Sequence, residues 1–397
     1  MRRPALLLLV PLLLAGAQAP RVAAPADPGR FALAADAEAR WIPFELTPGN
    51  QVRFDMRVDG RPATAILDTG VSLSLLSDRF AGLDAKAVRP IGRASAIGGT
   101  VPIGAIRTSR VELGAVTRAG GELVVGTIPA AATGSAEAVD LLVGRDLLER
   151  YALDIDYPNK RFRLLKQGRL PFTGATAPLT VSPERRVYES RVTLGARRLA
   201  PMVVDTGDGS PLTVTRAAWR GAGVTGAPVT TAVLFGLGGR SVTELAIVPE
   251  LQVGHLAASE VEVRIEPPRG LSETIGVAGR IGSGFLGRYR VLLDPGAGRM
   301  VFQPGPQAGA PPTRSTSGLL LGALPDRLRV LHVMRGGPGA AAGWKDGDTI
   351  CAVDGEKITP AFLSGPNAGW TAGAPGRVVK LTPCSGAERS LTLRRFY

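Results

Sequence analysis

The chain has 397 residues, enough for two or three domains, and carries a formal net charge of +13 that rests on Arg far more than on Lys. The positive charge is spread along the chain, with no basic helix and no patch of aromatic residues between basic ones. It therefore reads as a solvated surface and excludes nucleic acid as an expected partner, leaving loose attraction to anionic surfaces as the alternative. Only two His and two Cys are present. With so few histidines there is no His-Glu-x-x-His metal site and no Ser-His-Asp set, so no metal and no cofactor are expected. His255 and His332 read as packing or surface residues.

The N-terminus begins with the basic Met1-Arg2-Arg3, continues with an apolar run from Leu6 to Leu14 broken only by Pro11, and reaches the small residues Ala15-Gly16-Ala17. This pattern predicts a signal peptide over 1–17 and a periplasmic or secreted protein. No later stretch is long enough for a transmembrane helix, so none is expected after signal removal. Residues 18–39, rich in Ala, Pro and Asp, are expected to form a flexible lead.

Residues 40–170 read as one β-rich unit of short strands and Gly turns, such as the strand Gln51 to Val58 followed by the turn Asp59-Gly60. Residues 184–303 repeat that grammar, starting with the strand-like Val187 to Leu194 and a turn at Gly195-Ala196. A linker is expected at 171–183, and a second at 304–316, where Pro, Gly, Ala, Ser and Thr dominate.

The two units share a motif. Asp68-Thr69-Gly70-Val71-Ser72 follows the apolar Ala65-Ile66-Leu67, and Asp205-Thr206-Gly207-Asp208-Gly209 follows Met202-Val203-Val204. Each places a carboxylate at a tight turn that ends a buried strand, where Gly70 and Gly207 allow a sharp turn and each Thr hydroxyl can bridge to backbone. The units also keep register: Gly144 in Leu142-Val143-Gly144 lies 76 residues after Asp68, and Gly282 in Arg280-Ile281-Gly282 lies 77 after Asp205. Similar tails follow, beginning Arg150-Tyr151 and Arg288-Tyr289. Between these landmarks each unit has a Gly-Gly hairpin signal, Ile97-Gly98-Gly99 and Gly238-Gly239. An isolated Asp-Thr-Gly is usually just a turn, but two copies in register with matching Gly segments point to a pair of facing carboxylates. Such a pair shares one proton and can activate water for amide hydrolysis without a metal.

Residues 41–302 resemble the retropepsin-like and pepsin-like aspartic proteases. The resemblance implies a mainly β fold of two tandem retropepsin-like β-barrel lobes forming a pepsin-like pseudo-dimer. It makes Asp68 and Asp205 the catalytic pair, with Thr69, Gly70, Ser72, Thr206, Gly207, Gly144 and Gly282 supporting the active loops. It also makes Ile97, Gly98, Gly99, Gly238 and Gly239 flaps over an extended polypeptide substrate. Both Asp residues lie in one chain, so a monomer suffices. The second half departs from the family pattern in three places: Gly209 replaces the usual hydroxyl residue and displaces Ser210, Asp208 adds a charge, and Arg280 stands where an apolar residue is usual.

In the last unit, 317–397, Gly318-Leu319-Leu320-Leu321 leads to the strand Leu328 to Met334, followed by Gly337-Pro338-Gly339-Ala340-Ala341-Ala342-Gly343 and Asp346-Gly347-Asp348 before a strand ending Asp354-Gly355. This stretch resembles a bacterial PDZ domain, most closely over Val330–Gly355. The resemblance implies docking of peptide C-termini or extended strands, with Gly318, Leu319, Leu320 and Leu321 supplying backbone donors. Cys351 and Cys384 both fall here, either paired or as buried thiols. An exported aspartic endopeptidase that recruits chains through this domain is the leading expectation; a peptide-binding pseudoprotease or an envelope scaffold are the alternatives.

Overall fold

A computed structural model describes residues 27–134 and 137–397, and the expected signal peptide and the start of the lead lie outside the described residues. The chain is mainly β, and its described residues form four sheets. Alternating burial forms the first of them: Val52–Val58 turns inward at every second residue and pairs antiparallel with Arg61–Leu67 across Asp59-Gly60, both of which take positive φ. Arg61–Leu67 then pairs in parallel with Leu141–Val143, whose three residues are all buried.

The second half repeats this arrangement. Tyr188–Leu194 pairs with Arg197–Asp205, which pairs in parallel with Gly279–Gly282. Its sheet closes on itself, because Tyr188–Leu194 also pairs with the long strand Gly239–Val253. In the first half the matching long strand is broken into Gly99–Arg107 and Arg110–Leu113.

The two tails that the repeat aligned form the joint between the halves. Tyr151–Asp156 pairs antiparallel with Tyr289–Asp294, placing Leu153 opposite Leu293 and Ile155 opposite Val291 in a shared 6-stranded sheet. One continuous apolar cluster runs through both halves and this sheet, with Phe162, Leu153, Val291 and Phe302 all nearly inaccessible.

Two expected segment boundaries are corrected. The lead is not free up to residue 39: Arg30–Leu33 pairs with Val116–Ala119 as an edge strand, because Phe31 and Leu33 pack on the core from alternate positions. The linker 171–183 also carries two short strands, with Ala175–Pro178 on Arg299–Pro304 and Thr180–Val181 on Tyr188–Leu194. Its Pro and Gly residues suit sheet edges, which explains why its composition reads as a loop. No helix among the described residues is long and apolar enough to cross a membrane.

The C-terminal unit has a separate core of Leu319, Val330, Trp344, Ile350, Trp370 and Val379, among others, beneath the strands Leu319–Leu324, Arg327–Val333, Thr349–Val353, Val378–Pro383 and Arg389–Thr392. Cys351 and Cys384 are joined as a disulfide across a separation of 33 residues. Closing a loop of that size contributes about 4 kcal/mol in the chain-entropy picture. Replacing both cysteines by Ser should therefore give an early urea transition confined to this unit, since the core of the other two halves is separate. An unchanged transition would show that the bridge carries no stability.

This unit docks on the second-half hairpin formed by Thr230–Gly236 and Gly239–Val253. Met334 and Tyr397 are buried with Ala232 and Leu245, while Arg240 pairs with Asp346 and Arg335 with Glu244. His332 Nε2 lies 2.8 Å from the Thr231 hydroxyl, so the isolated histidine is an interface group here.

Candidate active site

The strands Arg61–Leu67 and Arg197–Asp205 end at the two Asp-Thr-Gly loops, which meet at the junction of the halves. Thr69 and Thr206 interlock them. The Thr69 N–H donates to the Thr206 hydroxyl and the Thr206 N–H to the Thr69 hydroxyl, both at 3.0 Å. Each hydroxyl in turn donates across the junction, Thr69 to the Val204 carbonyl and Thr206 to the Leu67 carbonyl, both at 2.6 Å. Both threonines are fully buried, so all of these bonds are shielded from water.

Asp68 and Asp205 are thereby brought face to face, each carboxyl lying against the glycine of the opposite loop. A Cβ at Gly70 would lie 2.3 Å from the Asp205 carboxyl, and one at Gly207 would lie 2.3 Å from the Asp68 carboxyl. Only glycine at these two positions leaves room for the opposing acid. The Gly70 N–H donates to Asp68 at 3.0 Å, and the Gly207 and Asp208 N–H groups donate to Asp205 at 3.0 and 3.1 Å.

Gly144 and Gly282 lie against the same loops. A Cβ at Gly144 would sit 2.9 Å from the Ser74 nitrogen, and one at Gly282 would sit 2.1 Å from the Ser210 carbonyl oxygen. The next residues bond equivalently, with Arg145 N–H donating to the Val71 carbonyl at 3.0 Å and Ser283 N–H to the Asp208 carbonyl at 2.7 Å.

The hydroxyl positions behave differently from expectation. Ser72 donates to the Arg185 carbonyl at 2.6 Å, so its hydroxyl is used to bind the start of the second half instead of Asp68. Ser210 gives its N–H to Asp208 at 2.9 Å and does not replace a hydroxyl on Asp205. Gly209 is packed under a turn of the first half: Gln51 Nε2 donates to the Gly207 carbonyl at 2.6 Å and Asn50 Nδ2 to the Gly209 carbonyl at 3.1 Å. Asn50 and Gln51 were not legible as site residues, because no local motif marks them.

The other two departures answer each other. Arg280, only 1% exposed, bonds Asp208 at 3.0 Å, Glu266 at 2.7 Å and the Ser272 hydroxyl at 2.9 Å, and its Nε lies 3.4 Å from Asp205 Oδ2. Burial alone would raise the Asp208 carboxyl, but Arg280 and the Ser210 and Thr213 donors hold it below the usual carboxylate range. Asp205 is raised to about 6 by burial and by the Asp208 charge, against the pull of Arg280. Asp68 is pushed well above its ordinary value by burial and then by the charge of Asp205.

The Gly-Gly hairpins meet at their tips. The Gly238 N–H donates to the Ile97 carbonyl at 3.0 Å, and a Cβ at Gly98 would lie 2.4 Å from the Gly239 carbonyl oxygen. Beside the first tip is a cavity of about 370 Å³, bounded by Ile97, Gly98, Thr100, Arg240, Glu266 and Arg269 among others. In the C-terminal unit, two of the four expected donors are already engaged: Gly318 N–H bonds the Ser315 hydroxyl at 3.0 Å and Leu319 N–H the Ser317 hydroxyl at 3.1 Å. The Leu319–Leu324 strand forms one edge of its sheet, with Leu320 exposed.

A family model described as aspartyl protease matches residues 54–147, a span that holds Asp68, the first hairpin tip and Gly144. A comparison with curated proteins finds no match.

Proposed function

We propose that the protein is an aspartic endopeptidase whose two lobes, within a single chain, each supply one acid of a water-activating dyad. The observation that carries this reading is the reciprocal interlock of Thr69 and Thr206, which holds two buried carboxyls against each other at a junction of two equivalent β units. Burying two acids side by side costs stability, and a purely structural junction would gain nothing from it. The family match over the first half supports the peptidase reading of that half.

In the reaction, the ionised carboxylate takes a proton from water while its oxygen attacks the peptide carbonyl carbon. The protonated acid gives its proton to the carbonyl oxygen, producing a neutral gem-diol. Collapse returns one hydroxyl proton to the second acid, breaks the C–N bond, and passes the proton held by the first to the leaving amine. The Gly-tipped hairpins would act as flaps that close over an extended polypeptide, with each tip resting on the other. The C-terminal unit, read as a PDZ domain, would recruit chains along the open edge of Leu319–Leu324 and transmit their binding to the second flap through its docked surface. The disulfide suits an oxidising compartment, in keeping with export.

The dyad sets the pH range. With the first ionisation belonging to Asp205 at about 6, kcat/KM should fall as pH drops through that value, because a doubly protonated pair holds no base. A rate that instead climbs steadily toward pH 3 would contradict this. The direct test of function is cleavage of an unfolded protein by the purified chain, with and without a peptide carrying a secondary hydroxyl in place of the scissile carbonyl. Cleavage that the hydroxyl peptide blocks supports the proposal; an inert protein that still binds that peptide would favour the pseudoprotease reading.

A further inference from the structure

Two pairs of matched positions beside the dyad carry charge in one half only. Leu142 lies opposite Ile66 in the first half, and Arg280 lies opposite Val203 in the second, each two residues before its Asp. Val71 and Asp208 likewise occupy the same place after Asp68 and Asp205. Where the first half has an apolar pair, the second therefore has a buried arginine and aspartate.

The surroundings of the two acids are unequal as a result. Asp205 receives two N–H donors on Oδ1, from Gly207 at 3.0 Å and Asp208 at 3.1 Å, and its Oδ2 faces the Arg280 guanidinium at 3.4 Å. Asp68 receives a single N–H, from Gly70 at 3.0 Å, and the positions matching Asp208 and Arg280 in its half are held by the uncharged Val71 and Leu142. Donors and a nearby cation favour the ionised form of a carboxyl, and their scarcity favours the protonated form.

We propose that Arg280 is a positioning residue that makes Asp205 the ionised member of the dyad and leaves the shared proton on Asp68. Building on the proteolytic reading above, Asp205 is then the base that takes the proton of water, and Asp68 the acid that donates to the peptide carbonyl. The partners of Arg280 explain the geometry. Asp208 and Glu266 draw the guanidinium into bonds of 3.0 and 2.7 Å, so that its Nε stops 3.4 Å from Asp205, beyond ordinary hydrogen-bond length. Asp205 Oδ2 is favoured as an anion without being used up as an acceptor, and stays free to take a proton from water. Asp208 also opposes the ionisation of Asp205 by its own charge, so the network sets a balance that each partner can shift.

The test is a titration of the full-length protein carrying ¹³Cγ-labelled aspartate, with the dyad resonances assigned by their loss in Asp68→Asn and Asp205→Asn. In the parent, Asp205 should ionise first, near 6, and Asp68 should keep its proton to higher pH. Asp208→Asn keeps the shape of the side chain and its acceptor oxygen, and should lower the Asp205 midpoint by about one pH unit, the size expected for removing a nearby like charge. Arg280→Met should raise it by at least as much, and Arg280→Lys should return it toward the parent. If Arg280→Met does not fold, Arg280→Gln, which keeps polar N–H donors and loses only the charge, takes its place with the same upward shift. Asp68 ionising first, or an Asp205 midpoint that Asp208→Asn does not lower and loss of the Arg280 charge does not raise, would overturn the assignment. Because the readout needs no turnover, a chain that titrates as described but cuts nothing would count against the proteolytic reading alone. In a chain that does cut, the acid limb of kcat/KM should follow the same shifts, which a merely structural role for Arg280 would not produce.

Discussion

Asp68→Asn should reduce hydrolysis by ~10³-fold or more while leaving the fold intact, since an amide can neither hold the shared proton as an acid nor return it. The fold should survive because, among the described residues, the backbone donor to the Asp68 side chain is the Gly70 N–H at 3.0 Å, and an Asn oxygen can accept the same bond. The variant should also be more stable than the parent at neutral pH. Both dyad acids have folded pKa values raised above the ordinary 3.8, so their contribution to stability is full below that value and is lost as pH rises through their folded values, about 6 for Asp205. Removing one acid removes part of that loss. Activity is measured on an unfolded protein substrate and stability by urea melts at pH 4 and pH 7; parental cleavage, or a loss of stability at pH 7, would contradict the reading.

Gly209→Ser, which would restore the hydroxyl usual in the resembling family, should damage the protein instead of improving it. The φ of Gly209 lies outside the left-handed region, so space is what requires glycine there. An added Cβ would sit 1.7 Å from the carbonyl oxygen of Gly49, a backbone atom that cannot swing aside. Forcing the two turns apart should cost about 3 kcal/mol and break the Asn50 and Gln51 bonds to the second active loop. Because that loop carries Asp205, even a small displacement of its carboxyl should lower kcat by roughly 10²-fold. A melt and a kcat measurement on the purified variant check both effects, and a rise in activity would show that Gly49 yields.

The two Asp-Thr-Gly turns stand out in the sequence because each ends a local strand-and-turn pattern, and the matched distances to Gly144 and Gly282 tie the two copies together. The tails beginning at Tyr151 and Tyr289 were legible for the same reason, and they pair directly. What escaped depends on contacts between segments far apart in sequence. Gly209 looked like a missing hydroxyl because Gly49 is 160 positions away. Arg280 and Asp208 stood out singly as departures, yet their bond to each other, and the part of Glu266 in it, follows only from the parallel pairing of Gly279–Gly282 with Arg197–Asp205. Ser72 was expected by analogy to support its active loop, and its hydroxyl donates to the Arg185 carbonyl of the chain entering the second half, a partner 113 positions away. In the last unit, the hydroxyls of Ser315 and Ser317 take donors that a motif reading leaves free.

The pairing of two acids from one chain is tested most directly by the rate of Asp205→Asn on an unfolded protein, alone and mixed with Asp68→Asn. Each variant should lose activity by ~10³-fold or more, and the mixture should recover none, because each dyad is built within a single interlocked chain. Parental activity in Asp205→Asn, or recovery on mixing, would mean that the working pair forms between two chains.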